Sequence, residues 1–389
     1  MTYLTIARAA TRRLHALVAL VVSRVATRRL LALTALVASA AATAPLGAQS
    51  LANRVAGAGD GEVRMEYATR AGVCGDAKDV VALNRTLYVY PSMESHGTWS
   101  GVRCDHGRAR VSITTSARQV ERIRTYIGGA WTAPGGRVTD LGTVSAKEAA
   151  AYFFSIAEKM DGRSARNALL PAVIADSVDA LPSLLRIAQR SSIADETRRR
   201  ATHWLGELGD ASMIGPLEQL ARADDSEDGV GQAVLYALSE LPDGAGIPSL
   251  IRFARSPGSV EFRGKAVFWL GQADDKRAQS EVRAVAQDRT MPDEVREKAI
   301  FVIGQHHDSS DEDVAFLESL FPKLESAKLR DQVLFSVSQA DNPRGNRWLL
   351  GIARDESVQI EVRKKALFWL AQKDDPEVTK VISNLVTGP

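Results

Sequence analysis

A motif of eleven residues occurs twice in this chain, one hundred positions apart and almost unchanged. Lys265 to Asp275 reads KAVFWLGQADD, and Lys365 to Asp375 reads KALFWLAQKDD. The small residue in its second position recurs every 32 to 34 residues, at Ala168, Ala201, Ala233, Ala266, Ala299, Val333 and Ala366. A fixed period of this length indicates a repeat architecture, which limits the fold to a series of seven similar units.

Each unit has the pattern of two helices joined by a short turn, and the second helix carries the motif. The first unit opens on a capping box, Ser145-Ala-Lys-Glu148, which predicts a helix to about Met160. Several first helices have an early proline, where a missing N–H does least harm: Pro182, Pro216 and Pro248. Acidic residues close six second helices and are predicted to cap the next helix: Asp210, Asp243, Asp275, Asp308, Asp341 and Asp375.

Arginine stands three residues before the motif position in five of the seven units: Arg198, Arg263, Arg296, Arg330 and Arg363. The fullest copy of the pattern runs from Val295 to Asp308 and reads VREKAIFVIGQHHD. These residues resemble the short HEAT repeats of the bilin-lyase (PBS-lyase-like) kind. Tetratricopeptide and ankyrin repeats have a similar length, but their signature residues are absent. The resemblance implies a mostly α fold, an α-solenoid over about residues 145–389, with the second helices lining its concave side.

One face of the second helices is not needed for the repeat core. At 100° per residue, Phe268 falls about 200° from Ala266, opposite the buried stripe, and Gln272 stands beside it one turn later. The same two positions recur in the last four units: Phe268 and Gln272, Phe301 and Gln305, Phe335 and Gln339, Phe368 and Gln372. We predict that these side chains line a groove and bind a protein or peptide partner through apolar rings and hydrogen-bonding amides.

A second interpretation of the phenylalanines stays open, because their rings can fold sideways and seal the seam between neighbouring second helices. Upstream, His203 with Glu207 and Leu235 with Ser239 do not continue the pattern. The tryptophans one position later fall on the buried side and are predicted to be core: Trp204, Trp269 and Trp369. The recurring arginines border the core, and we expect them to bond carboxylates or carbonyls of the neighbouring unit.

The first 48 residues differ in composition from the rest of the chain. They hold six of the 49 basic residues and no acidic one, so the remainder carries 43 basic against 47 acidic residues. Arg28-Arg29 precede an apolar run and then small residues before Gln49, which predicts a signal peptide over 1–48 and an extracytoplasmic protein, periplasmic or secreted. A retained N-terminal anchor is the alternative. A mildly acidic mature chain argues against nucleic-acid binding, and no membrane span is expected after cleavage.

Two further segments precede the repeats. Residues 49–60 are small and polar and are predicted to be a flexible linker. Residues 61–144 show short alternating runs bounded by glycines, which predicts a small antiparallel β domain of four to six strands. Its two cysteines, Cys74 and Cys104, are predicted to form a disulfide in an oxidising compartment, with two buried thiols as the alternative.

No familiar catalytic or phosphate-binding motif occurs in the sequence. A metal is conceivable at His306-His307-Asp308, but interhelical turns are commonly charged, so no metal and no cofactor are predicted. The sequence therefore predicts a non-catalytic scaffold that holds a partner in the solenoid groove. Two alternatives stay open: a sensor or regulatory subunit whose β domain binds a ligand, and an enzyme related to bilin lyases.

Overall fold

The computed structural model of the protein describes residues 50–373, except 79, 84–85, 90–93, 99–103, 134, 224–228, 306–309 and 341. The predicted signal peptide lies outside the described residues. Contacts divide the chain into two units, Met1–Arg54 and Val55–Pro389. Helix α1, Leu51–Gly57, spans their border, where composition predicted a flexible linker. The small residues of this segment include alanines, which have the highest helix propensity, and this favours a helix over a flexible linker.

The described residues are mostly helical, and from Ala146 onwards the helices form seven consecutive hairpins. Hairpin 1 comprises α2 (Ala146–Lys159) and α3 (Gly162–Val173); hairpin 2, α4 (Leu181–Gln189) and α5 (Asp195–Leu208); hairpin 3, α6 (Ile214–Ala223) and α7 (Val230–Glu240); hairpin 4, α8 (Ile247–Arg255) and α9 (Val260–Gln272); hairpin 5, α10 (Lys276–Gln287) and α11 (Asp293–Gly304); hairpin 6, α12 (Asp311–Leu320) and α13 (Ala327–Gln339); hairpin 7, α14 (Pro343–Arg354) and α15 (Ile360–Ala371). Short 3₁₀ turns lie at Ala211–Met213, Pro242–Gly244 and Phe321–Lys323.

Caps define several helix starts as the sequence predicts. The Ser145 hydroxyl accepts a hydrogen bond from the Glu148 N–H at 3.2 Å, which begins α2. The Asp275 carboxylate accepts from two N–H groups at the start of α10, and Asp210 accepts from the N–H of Ser212. Asp243 instead lies within a 3₁₀ turn at φ 57°, so this residue supports the turn and not a helix cap.

Each second helix packs against the second helix of the next hairpin, from α3 and α5 through to α13 and α15. Glycines allow this approach at several of the seams. A Cβ on Gly271 would lie 2.5 Å from the Cβ of Val302, and a Cβ on Gly304 would lie 2.6 Å from that of Ser336. Because real side chains do not come so close, these glycines set how near the second helices lie.

Within the described residues the β region holds eight strands in two four-stranded sheets, more than the four to six strands predicted. Their bounds are β1 Gly61–Tyr67, β2 Val73–Gly75, β3 Val80–Leu83, β4 Thr86–Val89, β5 Glu94–Thr98, β6 Ala109–Ser116, β7 Gln119–Ile127 and β8 Val138–Thr143. The first sheet has the order β7-β6-β1-β8, and the second has β2-β3-β4-β5. The expectation of a purely antiparallel domain is wrong in one place, because β8 pairs with β1 in parallel. Strand β6 occupies one edge of β1, and β8 pairs with the opposite edge.

The predicted disulfide is present between Cys74 and Cys104. It ties β2 to the segment before β6, next to a β-bridge between Gly75 and Asp105. The first sheet is joined to hairpin 1 by the buried Tyr67, whose hydroxyl donates a 2.7 Å hydrogen bond to the carbonyl of Pro171. No helix within the described ranges is long and apolar enough to cross a membrane.

Candidate functional site

The predicted groove residues lie along one edge of the stacked second helices, on α9, α11, α13 and α15. Phe268, Phe301 and Phe335 are half-buried. Phe368 is 58% exposed, the most exposed large apolar side chain of the described residues. The four glutamines are all exposed: Gln272, Gln305, Gln339 and Gln372. The two residue types therefore differ. The half-buried rings contact both neighbouring side chains and solvent, whereas the amides are exposed to solvent.

The downstream rings contact one another across the seams. Phe301 and Phe335 stack nearly parallel, with ring centroids 6.3 Å apart. Phe335 also meets the edge of Trp369 at 4.9 Å, and Phe368 meets the same tryptophan at 5.0 Å. These contacts agree with the interpretation that the rings pack in the seams between second helices. The ring of Phe368, at the end of the series, is instead mainly exposed to solvent. We name the row Phe301, Phe335, Trp369 and Phe368 the aromatic row.

At the equivalent positions upstream, polar side chains close the seam between the second helices of hairpins 2 and 3. The rings of His203 and Tyr236 stack at 4.5 Å, and Tyr236 meets Trp269 edge-on at 4.9 Å. The Tyr236 hydroxyl donates a 2.9 Å hydrogen bond to Glu207, whose side chain is only 5% exposed. Burial, followed by the nearby Arg200, lowers the pKa of His203 to about 4, so this imidazole is neutral at neutral pH.

Three positions depart from the single-helix prediction. Trp204 is buried as expected, at 1% exposure, but Trp269 and Trp369 are only half-buried and belong to the seams. Leu235, at the position of Phe268 in hairpin 3, is fully buried. The helical wheel places residues against one core, whereas each second helix also packs sideways on two others. Tyr236 was missed for the same reason, and no signal in its own helix marks it.

A pocket with a volume of about 530 Å³ opens beside the downstream end of the aromatic row. We call it the terminal pocket, and it is lined by Glu297, Lys328, Asp331, Gln332, Phe335, Lys365, Phe368 and Trp369. Its carboxylates are paired across the seams: Lys328 lies 2.7 Å from Glu297, and Lys365 pairs with Asp331. The pocket therefore combines aromatic rings with walls of balanced charge.

The recurring arginines are structural, but they act within their own hairpins. Arg198 Nε donates to the carbonyl of Ala188 at 3.1 Å, and Arg363 Nε donates to that of Ala353 at 3.1 Å. Arg296 and Arg263 make the equivalent bonds, and Arg263 also reaches Met291 of the next hairpin. The expected bond to a neighbouring unit is thus corrected, since the nearest open carbonyls are those that end the first helix of the same hairpin.

Gln272 and Gln305 line a second cavity of about 420 Å³ that extends over hairpins 4 to 6. Its wall includes Arg283, which lies 2.7 Å from both Glu312 and Asp313. The conceivable metal ligands at positions 306–308 lie outside the described residues. Within the described ranges, no group of three or more His, Cys, Asp or Glu side chains is placed to hold a metal.

A third cavity, of about 450 Å³, lies between the β region and the first two hairpins. Arg70 and Leu83 line it from the β region, Asp176 from the loop after α3, and Glu207 from α5. The Arg70 guanidinium donates to the carbonyl of Val173 at 3.2 Å, which holds the two regions together at the rim. This cavity places a cation and two carboxylates around one space, and sequence reasoning did not predict it.

No protein-family model matches the chain, and no curated protein matches it. Among solved structures, human deoxyhypusine hydroxylase in complex with glycerol is 16% identical, with 58% of this chain and 96% of that chain aligned and a TM-score of 0.27. The complex of CpcE and CpcF of phycocyanin lyase from Nostoc is 19% identical over 53% of this chain and 82% of that chain, with a TM-score of 0.30. Both are HEAT-like helical repeat proteins.

A lipovitellin structure that describes lipid–protein interactions is 10% identical, with 72% of this chain and 37% of that chain aligned and a TM-score of 0.43. All three TM-scores are below 0.5, a level at which similarity assigns neither a reaction nor a ligand. The prediction that this chain is not an enzyme is nevertheless contradicted, because two of these structures are a hydroxylase and a lyase. Absence of a familiar motif does not exclude catalysis, and that prediction is withdrawn.

Proposed function

We propose that this protein is a HEAT-like α-solenoid that binds a peptide or protein partner along the face of its second helices in hairpins 4 to 7. The observation that carries the proposal is the aromatic row, which ends in the 58% exposed ring of Phe368. Exposed aromatic side chains in a contiguous series commonly mark interaction sites on soluble proteins. Repeat arrays supply extended surfaces of this kind for long partners.

The exposed glutamines support a partner with a polypeptide backbone. Each amide offers two N–H donors and a carbonyl acceptor, which matches the groups along an extended or helical peptide. One ring and one amide per hairpin give the face a regular spacing of about 8–10 Å, the usual distance between packed helix axes. We further propose an extracytoplasmic location, on the basis of the basic and apolar N-terminal segment.

Peptide selection followed by variant binding tests the proposal. The full chain would be used to select binders from a random dodecapeptide library, and dissociation constants would then be measured for the strongest peptide. Phe368→Ser and a quadruple Gln→Ala variant at the four groove positions should each weaken binding at least tenfold. Because all five side chains are exposed, these variants should keep the native melting temperature.

A matched control removes exposed amides elsewhere. Gln189 and Gln287 lie exposed on first helices, so Gln189→Ala with Gln287→Ala should leave the affinity unchanged. Equal affinity of the native chain and both groove variants would contradict the proposal, as would a library that yields no binder.

A second candidate function is ligand binding by the β region, and the 450 Å³ cavity favours it. Arg70, Asp176 and Glu207 surround a space within the size range of small-molecule sites. A screen of small polar metabolites by thermal shift would test it. Saturable stabilisation that Glu207→Gln abolishes would support this function, and stabilisation that survives the change would locate the ligand elsewhere.

A further inference from the structure

We propose that the terminal pocket binds the guanidinium group of an arginine side chain that the partner supplies. The inference rests on the proposed function, because it names the chemistry of one anchor within the same binding face. Two observations support it: hairpins 5 and 6 carry different residues at one equivalent position, and aromatic and charged side chains surround that position in hairpin 6.

In hairpin 5 an aromatic ring of the row is covered by a cation of the same helix. The Lys298 ammonium lies 5.2 Å from the centroid of the Phe301 ring, three residues further along α11. A cation in this position is attracted by the electron-rich ring face. In hairpin 6 the residue equivalent to Lys298 is Gln332, and its amide donates to the Ser336 hydroxyl at 3.2 Å. Among the described residues, no cation lies over Phe335, whose ring opens into the terminal pocket.

The rings of the pocket meet at steep angles. Phe335 and Trp369 are inclined at 63°, and Phe368 and Trp369 at 72°. Such an arrangement forms an aromatic corner that can contact a flat group on more than one side. The volume of about 530 Å³ is ample for a long side chain. The corner is open to solvent because Phe368 is 58% exposed.

The walls favour a guanidinium over an ammonium. Glu297 and Asp331 carry the negative charge, and their partners Lys328 and Lys365 have side chains that are 54% and 48% exposed. Exposed ion pairs of this kind contribute little, so an incoming group can take over a carboxylate oxygen. With the wall charges balanced, a simple ammonium gains little from them. A planar guanidinium can stack on a ring and also bind a carboxylate through two N–H groups.

The test uses three tripeptide amides as probes, acetyl-Gly-Arg-Gly, acetyl-Gly-Lys-Gly and acetyl-Gly-Leu-Gly. Each would be titrated into the full chain and followed by ligand-observed NMR. The arginine probe should bind at least threefold more tightly than either of the others. Gln332→Lys places the chain's own cation over Phe335, as Lys298 lies over Phe301, and should weaken the arginine probe at least tenfold.

A reciprocal variant gives a gain of binding that misfolding cannot mimic. Lys298→Gln uncovers the Phe301 ring and should create a second, weaker site for the arginine probe. Equal or tighter binding of the leucine probe would overturn the inference in favour of an apolar anchor. Unchanged binding of the arginine probe to the Gln332→Lys variant would overturn it as well, since the probe would then occupy another surface.

The two proposals fail in different ways. If no tripeptide binds while library peptides still bind in a Phe368-dependent manner, the arginine anchor is wrong and the peptide-binding face stands. If the arginine probe binds as expected but groove variants leave library peptides unaffected, the pocket is a cation site and the extended face is wrong.

Discussion

The upstream and downstream seams of the second helices use the same helical positions in opposite ways. Between hairpins 2 and 3, His203 stacks on Tyr236, and Glu207 accepts the tyrosine hydroxyl, so polar groups close the seam. Between hairpins 6 and 7, Phe335 and Trp369 close it, and Phe368 remains 58% exposed. The repeat thus determines where a side chain lies, and its chemistry determines whether that place is sealed or available to a partner.

Both seams require successive second helices to lie close together. Disrupting that approach should have the largest effect on stability. A Cβ on Gly206 would lie 2.5 Å from the Cα of Ala237, which is backbone and cannot rotate away. Gly206→Val should therefore force α5 and α7 apart and lower the free energy of unfolding by about 3 kcal/mol, the upper end of the usual cost of overpacking. Denaturant unfolding followed by circular dichroism would measure it.

The control for that variant is a helical glycine that faces open space. Nothing lies within 4 Å of a Cβ placed on Gly264, so Gly264→Ala should stabilise the chain by about 0.5–1 kcal/mol through helix propensity. If Gly206→Val unfolds at the native denaturant concentration, the upstream seam is looser than the contacts indicate, and the comparison with the downstream seam loses its basis.

The upstream seam should be sensitive to acid. Burial and Arg200 lower the pKa of His203 from 6.5 to about 4, so the unfolded chain takes up a proton at a higher pH than the folded chain. The free energy of unfolding should be at its full value above pH 6.5 and fall by up to about 3 kcal/mol as the pH drops towards 4. Unfolding measured across this range would show it.

His203→Phe removes the titrating group and retains a ring against Tyr236. The variant should lose that part of the acid sensitivity while unfolding much like the native chain at pH 7.5. An identical pH profile for the two proteins would show that His203 takes up its proton at the same pH in the folded and unfolded chains, and that the upstream seam is more open to water than its 17% exposed side chain indicates.

The downstream seam offers a direct separation of packing from exposure. Phe335 contacts rings in both neighbouring hairpins, so Phe335→Ala should cost about 2 kcal/mol of unfolding free energy, less than a fully buried phenylalanine. Phe368→Ala should cost about 0.5 kcal/mol, because its ring is mainly exposed. Similar losses for the two variants would mean that Phe368 is packed in solution, which would weaken the case for a binding face.

Features that depend on local or repeated sequence patterns could be predicted, whereas features that depend on distant partners could not. The seven hairpins, the disulfide and the capping of α2 by Ser145 could be predicted, because periodicity, cysteine count and cap residues are local or repetitive. The prediction of four to six strands fell short of the eight described, partly because β2 and β3, with three and four residues, are too short to show alternation. The parallel pairing of β8 depends on a distant partner and leaves no mark in its own residues.

The candidate site was predictable only in outline. The recurrence of phenylalanine and glutamine marks a face, but the half-burial of Trp269 and Trp369 arises from sideways packing, which a single helical wheel omits. The terminal pocket depends on a glutamine at position 332 where the preceding hairpin has lysine. Such a difference becomes meaningful only when the ring beneath it is known.

The smallest effect is expected at Arg330, one of the recurring arginines, and its comparison with Arg198 again separates the two regions. Upstream, Arg198 donates to the carbonyl that ends α4 and also pairs with Asp195, so Arg198→Leu should cost about 1–2 kcal/mol. Downstream, the chain continues helically past α12 into a 3₁₀ turn, and the buried Nε of Arg330 has no hydrogen-bond partner among the described residues. Replacing an unsatisfied donor by an apolar group removes a desolvation cost, so Arg330→Leu should be neutral or slightly stabilising. Chemical denaturation of both variants under the same conditions would compare them. A loss at Arg330 as large as that at Arg198 would show that this guanidinium has found an acceptor, and that the five hairpins with this arginine hold their two helices together by the same bond.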